Sequence, residues 1–166
     1  MELLRQRYQA APHAENLFDL ARALQWAGHR EEAQTAFAEF EQKSLLETNR
    51  ADNSNHELIV YYADYSNQPA KALEVAQREY ARRHDVFTMD CYALALHLNN
   101  RNQEALNQIT AALAVGIRDA QLFRHAGEIA LAAGDDASAE RYLRQSAELN
   151  TSESEQARIA LARLLK

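Results

Sequence analysis

The chain is predicted to be all-α, a stack of short antiparallel helix pairs, and three observations carry that prediction. The first is composition: 32 Ala and 21 Leu stand against 14 Val, Ile and Thr together, whereas strands favour the reverse. The second is periodicity. The apolar residues Leu17, Leu20, Ala21 and Leu24, and again Leu122, Ala126, Ile129 and Ala130, recur three and four apart, which puts them on one face of a helix. No stretch keeps a period of two. The third is punctuation, with Gly28 and Gly134 where a helix would stop and Pro69 where one would start.

Taken in order, the pattern gives ten helices. The first spans 2–10 and the second 14–27, closed by Gly28; the third runs over 30–48. Ser54 with Glu57 reads as a capping box opening 54–66, and Pro69 suits the first turn of 69–83. Helices 86–99 and 102–115 flank a turn at Asn100, and 118–133 runs up to Gly134. Asp135 and Asp136 cap 135–149, and Ser152 with Glu155 reads as a second box opening 152–165. Connections of two to five residues force consecutive helices to be antiparallel neighbours.

Three segments also repeat one another: 20–40, 92–112 and 126–146. In each, a turn residue (Gly28, Asn100, Gly134) stands five before an alanine (Ala33, Ala105, Ala139), and a larger residue (Phe37, Ile109, Leu143) follows four later. Gly134 lies 34 residues after Asn100, and Asn100 lies 72 after Gly28, which leaves room for one more unit at 55–84 and a short insertion near 48–51. Gly and Asn accept the left-handed backbone that reverses the chain, and the alanine lets paired helices approach closely; Gly127 can serve the same purpose. The register of that second unit shifts by one according to whether Tyr62 or Ala63 is matched.

On these residues the sequence resembles the tetratricopeptide repeat (TPR) family. The resemblance covers about 14–153, in three good repeats and one poor one, and implies a right-handed superhelical solenoid. The repeats would be 14–47, 52–85, 86–119 and 120–153, with 154–166 a capping helix and 1–13 either the end of a preceding repeat, in a chain cut from a longer array, or an N-terminal cap. The family's bulky fourth residue is Leu17, Met89 and Phe123 here, and its closing proline is Leu45, Ile117 and Thr151.

The candidates for chemistry are thin. There is no HExxH, no second cysteine for Cys91 to pair with and no glycine loop for phosphate, so no enzyme activity, cofactor or metal is expected. Cys91 reads as a buried structural thiol, and Arg78, Arg82, Arg83 and His84 as the cationic end of a helix. Tyr61, Tyr62 and Tyr65, spaced for a helix face, read as core. A net charge of −6 disfavours nucleic acid, and with no apolar run of about 18 residues a membrane span is not expected. The N-terminus mixes charge with apolar residues, so a signal peptide is not expected and a cytoplasmic location is.

What remains is a surface for protein. The TPR resemblance implies that the second, fifth, ninth and twelfth residues of each repeat line a concave face where a peptide or protein segment docks. These are Glu15, Phe18, Arg22 and Gln25; Phe87, Asp90, Leu94 and His97; and Gln121, Arg124, Glu128 and Leu131. Recognition is expected from Phe18, Arg22, Gln25, Asp90, Leu94, His97, Arg124 and Glu128, with Arg22 and Arg124 exposed and replaceable at little cost to folding. The family's carboxylate-clamp pattern is missing, as Arg22 stands where an asparagine would be. The alternatives are an assembly module that self-associates through apolar repeat ends, as Ile159, Leu161, Leu164 and Leu165 suggest, and a regulatory part of a larger protein.

Overall fold

The computed structural model describes residues 1–50, 52–149 and 151–165. Among the described residues there are ten α-helices and no strand: α1 (Glu2–Ala10), α2 (Ala14–Trp26), α3 (Arg30–Glu47), α4 (His56–Val60), α5 (Pro69–Tyr80), α6 (Val86–Leu98), α7 (Asn102–Leu113), α8 (Ala120–Ala132), α9 (Asp136–Glu148) and α10 (Ser152–Leu164). The fold is all-α and TPR-like. Packing is densest within α2 and α3, α6 and α7, and α8 and α9, while α6 also packs on both α4 and α8.

The alanine positions explain how the pairs close. Ala33, Ala72, Ala105 and Ala139 have no exposed surface at all. Each stands five residues after a residue with left-handed backbone: Gly28 (φ +81°), Asn67 (φ +51°), Asn100 (φ +62°) and Gly134 (φ +81°). Three turns then close by the same backbone bond, His29 N–H to Leu24 O, Arg101 N–H to Leu96 O and Asp135 N–H to Ala130 O, each reaching back five residues.

The second pair differs by one residue, and the cause is visible. After Val60, α4 continues as a π-helical turn, Tyr61–Tyr65, in which Ser66 N–H donates to Tyr61 O at 2.9 Å. A π turn inserts one residue into a helix. The closing bond from Gln68 N–H therefore reaches back six residues, to Tyr62 O. Tyr62, not Ala63, occupies the place held by Leu24 and Leu96, and its ring is buried while Ala63 is half-buried.

The π turn carries its aromatic rings into the core, as the tyrosine spacing predicts. Phe37 lies 5.4 Å from Tyr61 and 4.9 Å from Tyr65, and Phe18 lies 4.9 Å from Phe40 and 5.7 Å from Tyr65, ring centre to ring centre. Such offset and edge contacts add to the area buried. A second core, from Val86 to Ile129, packs α6, α7 and α8.

The basic cluster is structural, for a reason sequence could not supply. Glu79, without exposed surface, pairs with Arg83 at 2.7 Å and Arg82 at 3.5 Å and accepts from Asn55 Nδ2 at 2.8 Å. Arg82 and Arg83, in the turn that follows α5, donate to the carbonyls of Arg50 and Asn53, so the end of α5 and this turn hold the α3–α4 connection.

Two caps differ from expectation. The box expected at Ser54 and Glu57 does not form: Asn55, at φ +54°, precedes α4, its N–H taken by Asn53 Oδ1 at 2.9 Å, and the buried Asn55 amide is committed to Glu79. The box expected at Ser152 rests on a side chain outside the described residues; the box that forms pairs Thr151 with Ser154. Asp135 caps α9 through Ser138 N–H, as expected.

Gly127 gives a direct test of the pairing. A Cβ there would fall 2.6 Å from Leu143 Cγ and 3.3 Å from Ala139 O. Although alanine favours helix by about 1 kcal/mol over glycine, Gly127→Ala should lower unfolding free energy by about 1–3 kcal/mol through overpacking. Ala139→Leu should do the same. Urea denaturation reads both, and unchanged midpoints would mean that α8 and α9 do not meet at this face.

Candidate functional site

The first helices of the pairs, α2, α4, α6 and α8, share a groove of about 300 Å³. Glu15, Phe18, Asp19 and Arg22 come from α2, His56, Glu57 and Val60 from α4, Phe87, Asp90 and Cys91 from α6, and Gln121 from α8. Each helix offers residues three and four apart because that spacing returns to one face. Phe87 is 47% exposed, an aromatic ring at the groove's surface beside His56, whose ring centre is 6.4 Å away.

The expected recognition residues divide into three sets. Phe18, Arg22 and Asp90 do line the groove, although Phe18 and Asp90 are almost wholly buried. Arg22 donates through Nε to Tyr65 Oη at 3.0 Å and lies over the Phe18 ring, which fixes its guanidinium. Gln25, Leu94 and His97 fall outside the groove's lining. Gln25 is exposed at the end of α2, Leu94 is core, and His97 is turned to Asn102 Oδ1 through Nδ1 at 2.9 Å. Arg124 and Glu128 form a third set, also outside the lining and paired with each other.

Arg124 corrects the expectation of an exposed, replaceable arginine: it is 4% exposed. Its Nη1 donates to both oxygens of Glu128 at 3.0 and 3.1 Å, and its Nη2 reaches Asp64 on the π turn at 3.4 Å. The same Nη2 lies 2.8 Å from Nε2 of His125, whose Nδ1 lies 2.8 Å from Asp90 Oδ1. A guanidinium only donates, so when the ring is neutral it accepts at Nε2 and donates from Nδ1 to Asp90; the Nδ1 donation persists when the ring is protonated. One buried chain of polar contacts thus ties α8, α6 and the π turn together.

Titration follows from these neighbours. Burial opposes a charge on His125, but the Asp90 carboxylate, its hydrogen bond and Asp64 outweigh both burial and Arg124, so the ring's pKa is raised. Burial holds His56 below its ordinary value and keeps it neutral. Burial pushes the Glu57 carboxyl up, and the neighbouring charges of Glu15 and Asp19 push the same way, against Arg22. Burial also raises the Cys91 thiol well above its ordinary range, which suits a structural role and not a nucleophile.

Asp19, His56, Glu57 and Val60 were missed in the sequence, and a signal for two of them was present. Counting the same inner positions from residue 52 gives His56 and Val60, and only the one-residue ambiguity of the second repeat hid them. Among the described residues no three or more His, Cys, Asp or Glu are placed to hold a metal, and no helix is long and apolar enough to cross a membrane.

No family model matches the chain, and no curated protein matches it. Among solved structures, the chain is similar to the crystal structure of PilW, described as a widely conserved type IV pilus biogenesis factor, with a TM-score of 0.59 and 13% identity. The match covers 98% of this chain and 75% of that one. At this identity the likeness concerns fold alone, an all-helical repeat-like architecture.

Two outcomes follow from the buried chain. Because removing one member of a buried ion pair strands the others, Arg124→Ala should destabilise by about 3 kcal/mol, read by urea denaturation; a loss within about 0.5 kcal/mol would mean that Arg124 faces solvent. The His125 imidazole should titrate above 6.5 in NMR spectra of the folded protein, and Asp90→Asn should lower that value. Because the folded pKa is raised, the stability contributed by the protonated ring is complete below 6.5 and is lost as pH rises through the folded value. A ring that titrates below 6.5 would contradict this.

Proposed function

We propose that this chain is a non-enzymatic TPR protein-interaction scaffold that docks a peptide or protein segment in the groove of α2, α4, α6 and α8. Its repeats are the four helix pairs at 14–47, 52–85, 86–119 and 120–153, flanked by α1 and α10. The reading is supported most directly by Phe87: a large ring left 47% exposed at a concavity whose walls are otherwise well packed. Exposed aromatics seated in pockets are the residues that carry binding energy at interfaces. The left-handed turn residues and the fully buried alanines of all four pairs support the family assignment.

Geometry favours binding over catalysis. Three of the groove's polar groups are committed to contacts within the fold: Asp90 to His125, His56 to Thr88 Oγ1 at 2.9 Å, and Arg22 to Tyr65. The buried thiol is held protonated. A rigid wall of fixed charges orients a ligand without offering it a reacting group.

A second reading, self-association through the chain ends, draws on Ile159 and Leu165, which are 46% and 56% exposed on and just after α10. Light scattering over a range of concentrations separates the two readings.

Phe87→Ala removes exposed surface and should leave the urea midpoint close to that of the parent. Partners captured from the source cell by the parent domain should be lost to this variant. Partners held equally by both would move docking off the groove.

A further inference from the structure

The groove is acidic as well as aromatic. Its lining carries four carboxylates, Glu15, Asp19, Glu57 and Asp90, against one guanidinium, that of Arg22. His56 adds no compensating charge, since burial keeps it neutral. The lining thus carries more carboxylates than cations, in a chain whose net charge is also negative, at −6. A cleft lined by one sign of charge and walled by apolar side chains concentrates its field and raises the local concentration of the opposite charge.

The carboxylates do not all have the same freedom. Asp90 is held by His125, and Asp19 by Arg7 Nη1 at 2.8 Å, with Arg7 also 3.8 Å from Glu15. Glu57 sits half-buried between α2 and α6, where Glu15 and Asp19 repel its charge. A cation brought in by a ligand would lower that repulsion. The apolar stem or the guanidinium of an arginine could lie on the exposed Phe87 ring, an arrangement that pays twice, through charge and through the ring's π face.

We infer that the segment docked in this groove is basic, a stretch of another protein bearing lysine or arginine among apolar residues, with one cationic head at Glu57 and Glu15 and apolar contact on Phe87. The inference rests on the groove being the docking site. It also separates this chain from the clamp type of TPR, whose ligand is anionic and whose lysine and asparagine positions are absent.

The test uses the whole domain and three fluorescein-labelled synthetic dodecapeptides of equal length: one of alternating lysine or arginine with leucine, one with glutamate in place of the basic residues, and one with glutamine there. Fluorescence anisotropy should show the basic peptide bound at least about tenfold more tightly than the glutamine peptide, the glutamate peptide unbound, and the basic complex weakened by added salt. Glu57→Gln with Glu15→Gln should weaken the basic peptide about fivefold or more and leave the glutamine peptide unchanged, while Phe87→Ala should weaken both. Circular dichroism shows that each variant is folded.

A glutamate or glutamine peptide bound as tightly as the basic one, and still sensitive to Phe87→Ala, would overturn the basic partner and leave the groove reading standing. Binding of the basic peptide that ignores both Phe87→Ala and the glutamine pair would overturn the groove reading itself. No binding of the basic peptide at millimolar concentration would overturn the inference, as would concentration-dependent self-association abolished by Phe87→Ala, which would put a second copy in the groove.

Discussion

In each pair the two helices meet at a residue with almost no side chain: Ala33, Ala72, Ala105 and Ala139 on the second helices, and Gly127 on the first helix of the last pair, under Leu143. That contact sets how closely the helices lie, and the distance is passed along the stack because α6 packs on α4 behind it and α8 ahead of it. The turns are built to suit. A left-handed residue five positions before each alanine reverses the chain quickly enough for the second helix to return along the first. With the pairs closed in this way, the first helices stand side by side and their shared face becomes a groove.

Apolar packing alone does not fix that face. Where α8 crosses α6 and the π turn, the interior holds Asp90, His125 and Arg124, with Asp64 and Glu128 half-covered at the edge. Taking such groups from water is costly, and the contacts do little more than offset that cost; what they add is geometric uniqueness, since a shift of α8 along α6 would strand a charge. The aromatic cluster does the same job at the other end, where Tyr65 both packs on Phe18 and Phe37 and receives the Arg22 hydrogen bond. The groove is thus held open between two rigid anchors, one ionic and one aromatic.

Much of the architecture was legible because it depends on local rules. Gly28, Asn100 and Gly134 announce their turns, and the alanines five residues on follow from the need for close approach. The second pair was obscured because a π turn, which leaves no mark in composition or spacing, shifts the register by one residue. The site was harder. Whether an inner-face residue meets solvent depends on neighbours 30 to 60 positions away: Arg124 looks like a surface arginine until Asp64 is brought to it and Asp90 to the adjoining His125. The expected mixture of charges on that face becomes, once Arg124 falls outside the groove's lining and Asp19 and Glu57 are added to it, a predominantly acidic one.

The proposed docking surface is this acidic groove, and not the outer helices or the ends of the stack. The most direct measurement is an NMR titration of the isotope-labelled domain with the lysine and arginine dodecapeptide, following backbone and aromatic signals. The largest shifts should fall on Phe18, His56, Glu57 and Phe87, with α3, α7 and α9 little changed. Shifts concentrated instead on α10 around Ile159, or spread evenly over the outer helices, would contradict it.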